Sequence, residues 1–147
     1  MLQALVERGV ESYRRALWPV VMGPGSGRQR LEQALKVLIG TAEAHLSLLV
    51  ALQTEADTPF HRPGKGEVLT DKAFTDPFER LLLDGAADGS LRTVHPVETA
   101  TVLFNMVAWT YVHLRTGHRW SIGRARRGVL DLALNGLVLA PRDWRRR

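Results

Sequence analysis

Between His95 and His118 the chain reads HPVETATVLFNMVAWTYVHLRTGH, and this stretch limits the possible folds more than any other. Val97, Ala100, Thr101, Phe104, Val107, Ala108, Tyr111 and Leu114 recur three and four residues apart, so they share one face of an α-helix. The opposite side carries Val102, Leu103, Met106, Trp109 and His113, leaving only Glu98, Asn105 and Arg115 clearly polar. A helix that is apolar nearly all round has to be covered on two sides. One cover is the domain's own core, and the simplest second cover is another copy of the same helix. The following segment, Ser121 to Leu139, repeats the pattern. Ile122, Val129, Leu132, Ala133 and Leu137 form one stripe, and Leu130, Leu134 and Val138 a second. Gly128 and Gly136 lie within it; glycine inside a helix costs up to about 1 kcal/mol relative to alanine, so close helix approach is the expected compensation. A homodimer is therefore expected, with two buried helices of a monomer as the competing reading.

A length of 147 residues fits one domain, 1–147, able to bury about 70% of its unfolded surface. The chain has no cysteine, so neither a disulfide framework nor a thiolate metal site is available, which is compatible with a reducing cytosol. The opening MLQALVERGVESYRR has no basic segment followed by an apolar one and does not read as a secretory signal. Val97 to Leu114 approaches the minimum for a membrane span, but Glu98, Asn105 and His113 would be expensive at bilayer depth. A soluble, cytoplasmic chain with no membrane partner is expected. The formal net charge of +5 is concentrated late: Arg115, Arg119, Arg124, Arg126, Arg127, Arg142, Arg145, Arg146 and Arg147 face only Asp131 and Asp143. Such a patch can attract a phosphate backbone, yet interleaved aromatics and a groove-reading motif are missing, so a solvated face and a basic tail are the simpler reading.

Leu2, Leu5, Val6, Val10, Tyr13 and Leu17 make the amphipathic stripe of a first helix, expected to end at Trp18-Pro19 before the glycine-rich loop Met22–Gly27. Arg28 to about Ala56 reads as one long second helix, with Leu31, Leu35, Leu38, Ala42, Leu46, Leu49 and Leu52 on one face. A break follows at 57–72, rich in proline, glycine and charge, with Phe60 as its one large apolar residue. Asp76-Pro77-Phe78-Glu79 predicts the start of a third helix, with Asp76 as N-cap and Pro77 at the first helical position. Gly89 before Leu91 predicts a left-handed C-cap; His95-Pro96-Val97-Glu98 starts the central helix, Gly117 ends it and Ser121 caps the last. No segment alternates long enough for a strand. The expected fold is an all-α bundle of about five helices.

Few residues qualify for chemistry. His95 and Glu98 could share a metal, but their spacing is that of an N-terminal cap and no third ligand is evident. His45 and His113 read as hydrogen-bonded buried histidines, although beside a pocket an imidazole can donate to or accept from a ligand. Gly23–Gly27 lacks the Lys-Ser/Thr ending of a phosphate loop, and no serine sits in a Gly-x-Ser-x-Gly turn. Nothing argues for an enzyme, a metal or a cofactor. Phe60, Phe78, Phe104, Met106, Trp109, Tyr111 and His45 would suit the wall of a small-molecule pocket, or would simply fill the core; both readings stand.

The run FERLLLDGAADGSLRTVHPVETATVLFNMVAWTYVHL resembles the C-terminal regulatory domain of tetracycline-repressor-type (TetR-family) transcriptional regulators. Phe78, Leu82, Gly85, Gly89, Leu91, Arg92, Pro96 and Ala100 fall where that family tends to have a helix, a glycine-capped end, a leucine-arginine pair and an acid-proline helix start; His95 stands in place of the acid. Residues 1–22 look like the helix that leaves the family's DNA-reading head, and the helix-turn-helix head itself is absent, through start-site choice or by nature. The resemblance implies a dimer formed by 96–139, with Val107, Tyr111, Val129, Leu132, Gly136 and Leu137 at its interface. It also implies a small apolar effector held by His45, Leu49, Phe78, Leu82, Phe104, Met106 and Trp109, and DNA binding only through the missing head. Alternatives are a headless partner that heterodimerises with a full-length regulator, and a helical-bundle carrier or enzyme.

Overall fold

The computed structural model describes residues 2–53, 61–63 and 68–136. They form an all-α bundle of six helices: α1 (Leu2–Val21), α2 (Gly27–Ala44), α3 (Leu46–Gln53), α4 (Lys72–Asp88), α5 (Pro96–Thr116) and α6 (Ile122–Asn135). Between α3 and α4 a ribbon of two three-residue strands, β1 (His61–Pro63) and β2 (Val68–Thr70), pairs antiparallel with His61 opposite Thr70. The stretch expected to be loop throughout thus contains a short ribbon; its strands are too brief to show a period of two. Phe60 lies outside the described residues.

The helix around which the others gather is α2, which packs on α1, α3, α4, α5 and α6. Leu31, Ala34, Leu35, Leu38, Ile39 and Ala42 follow the three-and-four spacing and are all buried, as a central helix requires. The N-terminus of α2 is fixed by a capping box: the Ser26 hydroxyl accepts from the Gln29 amide, and the Gln29 side chain accepts from the Ser26 amide. Asp88 adds a carboxylate at the same end, accepting from the Gly27 N–H at 2.7 Å, where the helix dipole favours negative charge.

The central helix of the sequence, α5, buries Ala100, Leu103, Phe104, Val107, Ala108, Tyr111 and Val112 against the chain itself, through α2, α3, α4 and α6. Its two covers therefore come largely from within one chain. The exception is an outer strip where Val102 and Met106 remain exposed.

Three boundaries differ from those read in the sequence. Pro19 does not end α1, which continues to Val21; the ring's missing N–H removes a single helical hydrogen bond, and the turn still closes through the Met22 N–H to the Trp18 carbonyl at 3.0 Å. Asp76 is not the cap of α4. The cap is Asp71, which accepts from Ala73 N at 2.9 Å, and Pro77 lies buried inside the helix. The long second helix is two helices, α2 and α3, bent by 80° at His45. The ends assigned to His95, Gly89 and Ser121 agree with the sequence: the first and last side chains accept from Glu98 N and Arg124 N, and Gly89 has φ 77°. Among the described residues no single helix is long and apolar enough to cross a membrane.

Candidate ligand-binding cavity

The bend at His45 makes a cavity. The His45 ring approaches the carbonyl of Thr41 through Nδ1 at 2.9 Å, while its backbone N–H is shared between the carbonyls of Thr41 and Ala42. This local bonding closes α2 and turns α3 away, so that Leu49 and Leu52 of α3 face Leu38 and Ala42 of α2 across a gap. Val6, Val10 and Tyr13 of α1, Phe74 of α4, and Phe104, Ala108, Trp109 and Val112 of α5 complete the wall. The cavity measures about 70 Å³ and is partly open to solvent.

Its polar points are few. A carbonyl only accepts, so His45 Nδ1 carries a proton and donates to Thr41. That ring lies against Gly9 in the middle of α1. Tyr13, one turn further along the same face, is 2% exposed, and its hydroxyl has no hydrogen-bond partner among the described residues. Burial pushes its phenol well above the ordinary range, so it stays protonated. The Tyr13 and Phe74 rings are tilted at 6.1 Å between centroids, and Phe74 and Phe104 at 5.0 Å. Among the described residues no lysine, arginine, aspartate or glutamate lines the space. The lining suits a neutral, mostly apolar group, and about 70 Å³ admits a small one.

Of the residues expected at a pocket, His45, Leu49, Phe104 and Trp109 meet at this cavity. Phe78 and Leu82 do not line it; both are buried in the core from α4. The reason is the earlier start of α4, which puts Phe74 into helix and brings it, one turn before Phe78, to the cavity wall. Met106 is 40% exposed on the outer strip of α5 and faces away from the cavity. Tyr13 and Gly9 were missed as site residues, although their four-residue spacing on the α1 stripe was visible.

The residues expected at a dimer interface also divide. Val107 and Tyr111 are completely buried within the chain and Val129 nearly so, which leaves them no surface for a second copy. Tyr111 instead donates to Glu43 Oε2 at 2.7 Å, and Arg115 holds the same carboxylate with two bonds of 2.9 Å while donating to the Trp120 carbonyl. Leu132 is 52% exposed and Gly136 is an exposed cap with φ 65°. Gly136 therefore ends α6 and does not admit a neighbouring helix, and Gly128 meets only Trp120 at ordinary distance. Leu137 lies outside the described residues.

No protein-family model matches the chain, and no curated protein does. Function has to be read from the cavity. A second cleft beside Val21, Arg30, Arg80 and Asp84 is occupied by structural bonds: Arg30 pairs with Asp84 at 3.0 Å and donates to the Val21 carbonyl at 2.6 Å. Among the described residues no three histidine or acidic side chains converge as a metal site would need.

Proposed function

We propose that these residues are the ligand-sensing and dimerisation domain of a TetR-type transcriptional regulator, binding a small apolar effector that alters DNA binding by a helix-turn-helix head outside these 147 residues. The observation that carries this reading is the composition of the cavity wall: α1 supplies Val6, Val10 and Tyr13, and α2 to α5 supply the rest. In the proposed regulator α1 is the helix that joins the head to the bundle. A molecule seated between α1 and the bundle contacts both, so its affinity depends on where α1 lies. Only such differential affinity can shift an equilibrium, and a tenfold preference corresponds to about 1.4 kcal/mol, the scale of one or two side-chain contacts.

Two heads reading a two-fold operator require a dimer. With Val107 and Tyr111 engaged inside the chain, the large apolar side chains that α5 and α6 leave on the surface to form it are Val97, Val102, Met106, Ile122 and Leu132.

Native mass spectrometry of the chain tests the proposal. The expected spectrum is a dimer that retains, or takes up on addition, a neutral apolar molecule, while a footprint on DNA shows no specific protection by these residues alone. A monomer that takes up no neutral apolar molecule overturns the reading, and so does specific protection of DNA.

A further inference from the structure

Four arginines gather at one corner of the bundle with no acid to meet them. Arg119 precedes α6, and Arg124, Arg126 and Arg127 lie in its first two turns; all four are exposed. None has an acidic partner among the described residues, whereas Arg14 and Arg15 pair with Glu11, Arg30 and Arg80 with Asp84, and Arg115 with Glu43. Arg124 and Arg127 lean back towards the helix start. The first lies over the Trp120 ring at 4.0 Å, and the second brings a guanidinium nitrogen to 3.5 Å from where a Cβ on Gly123 would stand. The one acid of α6, Asp131, accepts from Asn135 further along. Cations at a helix N-terminus oppose the helix dipole, and like charges one turn apart repel, so the arrangement costs stability that a bound polyanion would restore.

The corner lies at the end of the bundle where α1 begins. α1 and α2 run antiparallel, with Gly9 beside His45 at one end and the Val21 carbonyl bonded to Arg30 at the other. α6 opposes α2 as well: Arg115 joins Glu43 to the Trp120 carbonyl just ahead of α6, while Asn135 at its far end meets Arg28. The start of α6 therefore shares an end with His45 and with the first turns of α1, which run about 10 Å beyond Gly9 at 1.5 Å per residue. The acids of that end are engaged, Glu43 by Tyr111 and Arg115, Glu11 by Arg14 and Arg15, and Glu7 by Gln3.

We infer that Arg119, Arg124, Arg126 and Arg127 form a surface that holds the phosphate backbone of duplex DNA without reading its sequence. The choice of occupant rests on the regulator reading above, in which α1 leads to the head and the DNA lies beyond the same end; the unpaired cluster does not depend on it. The planar guanidinium fork matches two phosphate oxygens at once, and such contacts add affinity and no specificity. The aromatic ring at the corner is already engaged, with Arg124 over its face and His118 against it at 6.4 Å, so it offers no platform for stacking unpaired bases. The corner therefore suits a duplex backbone better than a single strand.

Fluorescence anisotropy of a labelled duplex of about 20 base pairs and arbitrary sequence, titrated with the full chain over a range of salt, tests this. About four neutralised phosphates give a slope of log K against log salt of about −3.5. Arg126→Gln/Arg127→Gln should make that slope shallower by about 2 and weaken binding at about 50 mM salt by at least about tenfold. Its thermal midpoint should equal or exceed that of the parent, because two cations leave the N-terminal turns of a helix. Arg92→Gln removes an exposed cation at the opposite end, beside the Ser90 that meets Arg28, and should change the affinity by less than about twofold. Arg142→Gln/Arg145→Gln/Arg146→Gln/Arg147→Gln should keep a steeper slope than Arg126→Gln/Arg127→Gln. The inference fails if the duplex does not bind at about 50 mM salt, or if its slope follows the arginines of residues 142–147 and not those of α6. A single strand of the same length, or phosphatidylserine vesicles, binding as tightly as the duplex likewise overturns it. Each of these failures leaves the regulator reading to the mass spectrum. Conversely, a monomer that takes up no apolar molecule but grips the duplex through α6 overturns that reading and keeps the backbone site.

Discussion

Gly9 illustrates how one missing side chain shapes the cavity. A Cβ at this position would lie 3.6 Å from His45 Nε2, in ordinary van der Waals contact, so Gly9→Ala fits without strain. Glycine in mid-helix is less favourable than alanine by about 1 kcal/mol, and the variant is expected to be more stable by up to that amount in urea unfolding. The added methyl enters the space beside His45, so uptake of a small apolar probe such as benzene should weaken; a gain in stability with unchanged binding would mean that ligands do not use this end of the cavity. Glu43 is a different case, because it joins α2 to α5. The Arg115 guanidinium holds its carboxyl below the usual range against the opposing effect of burial, with the Tyr111 hydroxyl helping; burial and Glu43 in turn push the Tyr111 phenol up to about 12. A carboxylate with a depressed folded pKa stabilises the fold fully above its unfolded value, about 4.3, and loses that contribution as pH falls through the folded value. Glu43→Gln is therefore expected to be less stable than the parent at neutral pH by about 1–2 kcal/mol, with the gap closing as pH falls below about 4. Urea unfolding over that range checks it, and a gap independent of pH would show that the ionised carboxylate contributes nothing.

Within α2, two glycines should respond to alanine with opposite signs. Gly27 begins the helix where it crosses α4, and a Cβ there would come within 2.3 Å of the Gly85 backbone. Backbone cannot rotate away, so Gly27→Ala should cost about 3 kcal/mol as the two helices are forced apart. Gly40 is exposed with nothing within 4 Å of its Cβ position, and Gly40→Ala should stabilise by up to about 1 kcal/mol. Thermal unfolding of the pair is internally controlled, because a destabilised Gly40→Ala would mean that α2 tolerates no change and that Gly27 reports nothing about the crossing. Much of this element scale was legible in the chain: the caps at His95 and Ser121 and the turn at Gly89 are local chemistry and were read from local residues. The ends of α1 and α4 were not, because at Pro19 and Pro77 the proline signal is overridden by packing around Leu17, Val21, Phe74 and Phe78. The bend between α2 and α3 carries no proline and no glycine at its corner. It depends on a histidine ring meeting a carbonyl one turn back, which spacing alone does not reveal.

Across the whole molecule, periodicity identified which helix faces are apolar but could not say what covers each. Of the eight-residue stripe read on α5, Ala100, Phe104, Val107, Ala108 and Tyr111 are buried and Val97 is exposed, while Leu103 and Val112 outside the stripe are buried too; Val107 and Tyr111 are covered by the chain's own helices. The cavity was half visible for the same reason: His45, Leu49, Phe104 and Trp109 lie beside apolar stripes, whereas Tyr13 and Phe74 reach it only because α3 bends and α4 starts early. For the proposed self-association the surface matters, and among the described residues expected at the interface Leu132 on α6 is the large apolar side chain still exposed. Leu132→Glu places a charge on that face without entering the core, so the thermal midpoint should hold while the Kd of the proposed dimer rises by at least about tenfold in sedimentation equilibrium. Val107→Ala makes the converse change. It removes buried volume with no surface of its own, and should lower stability by about 1–2 kcal/mol while leaving the dimer Kd within about twofold of the parent. If Val107→Ala separates the subunits and Leu132→Glu does not, the dimer is held by a repacked α5, and the chain in solution differs from the bundle described here.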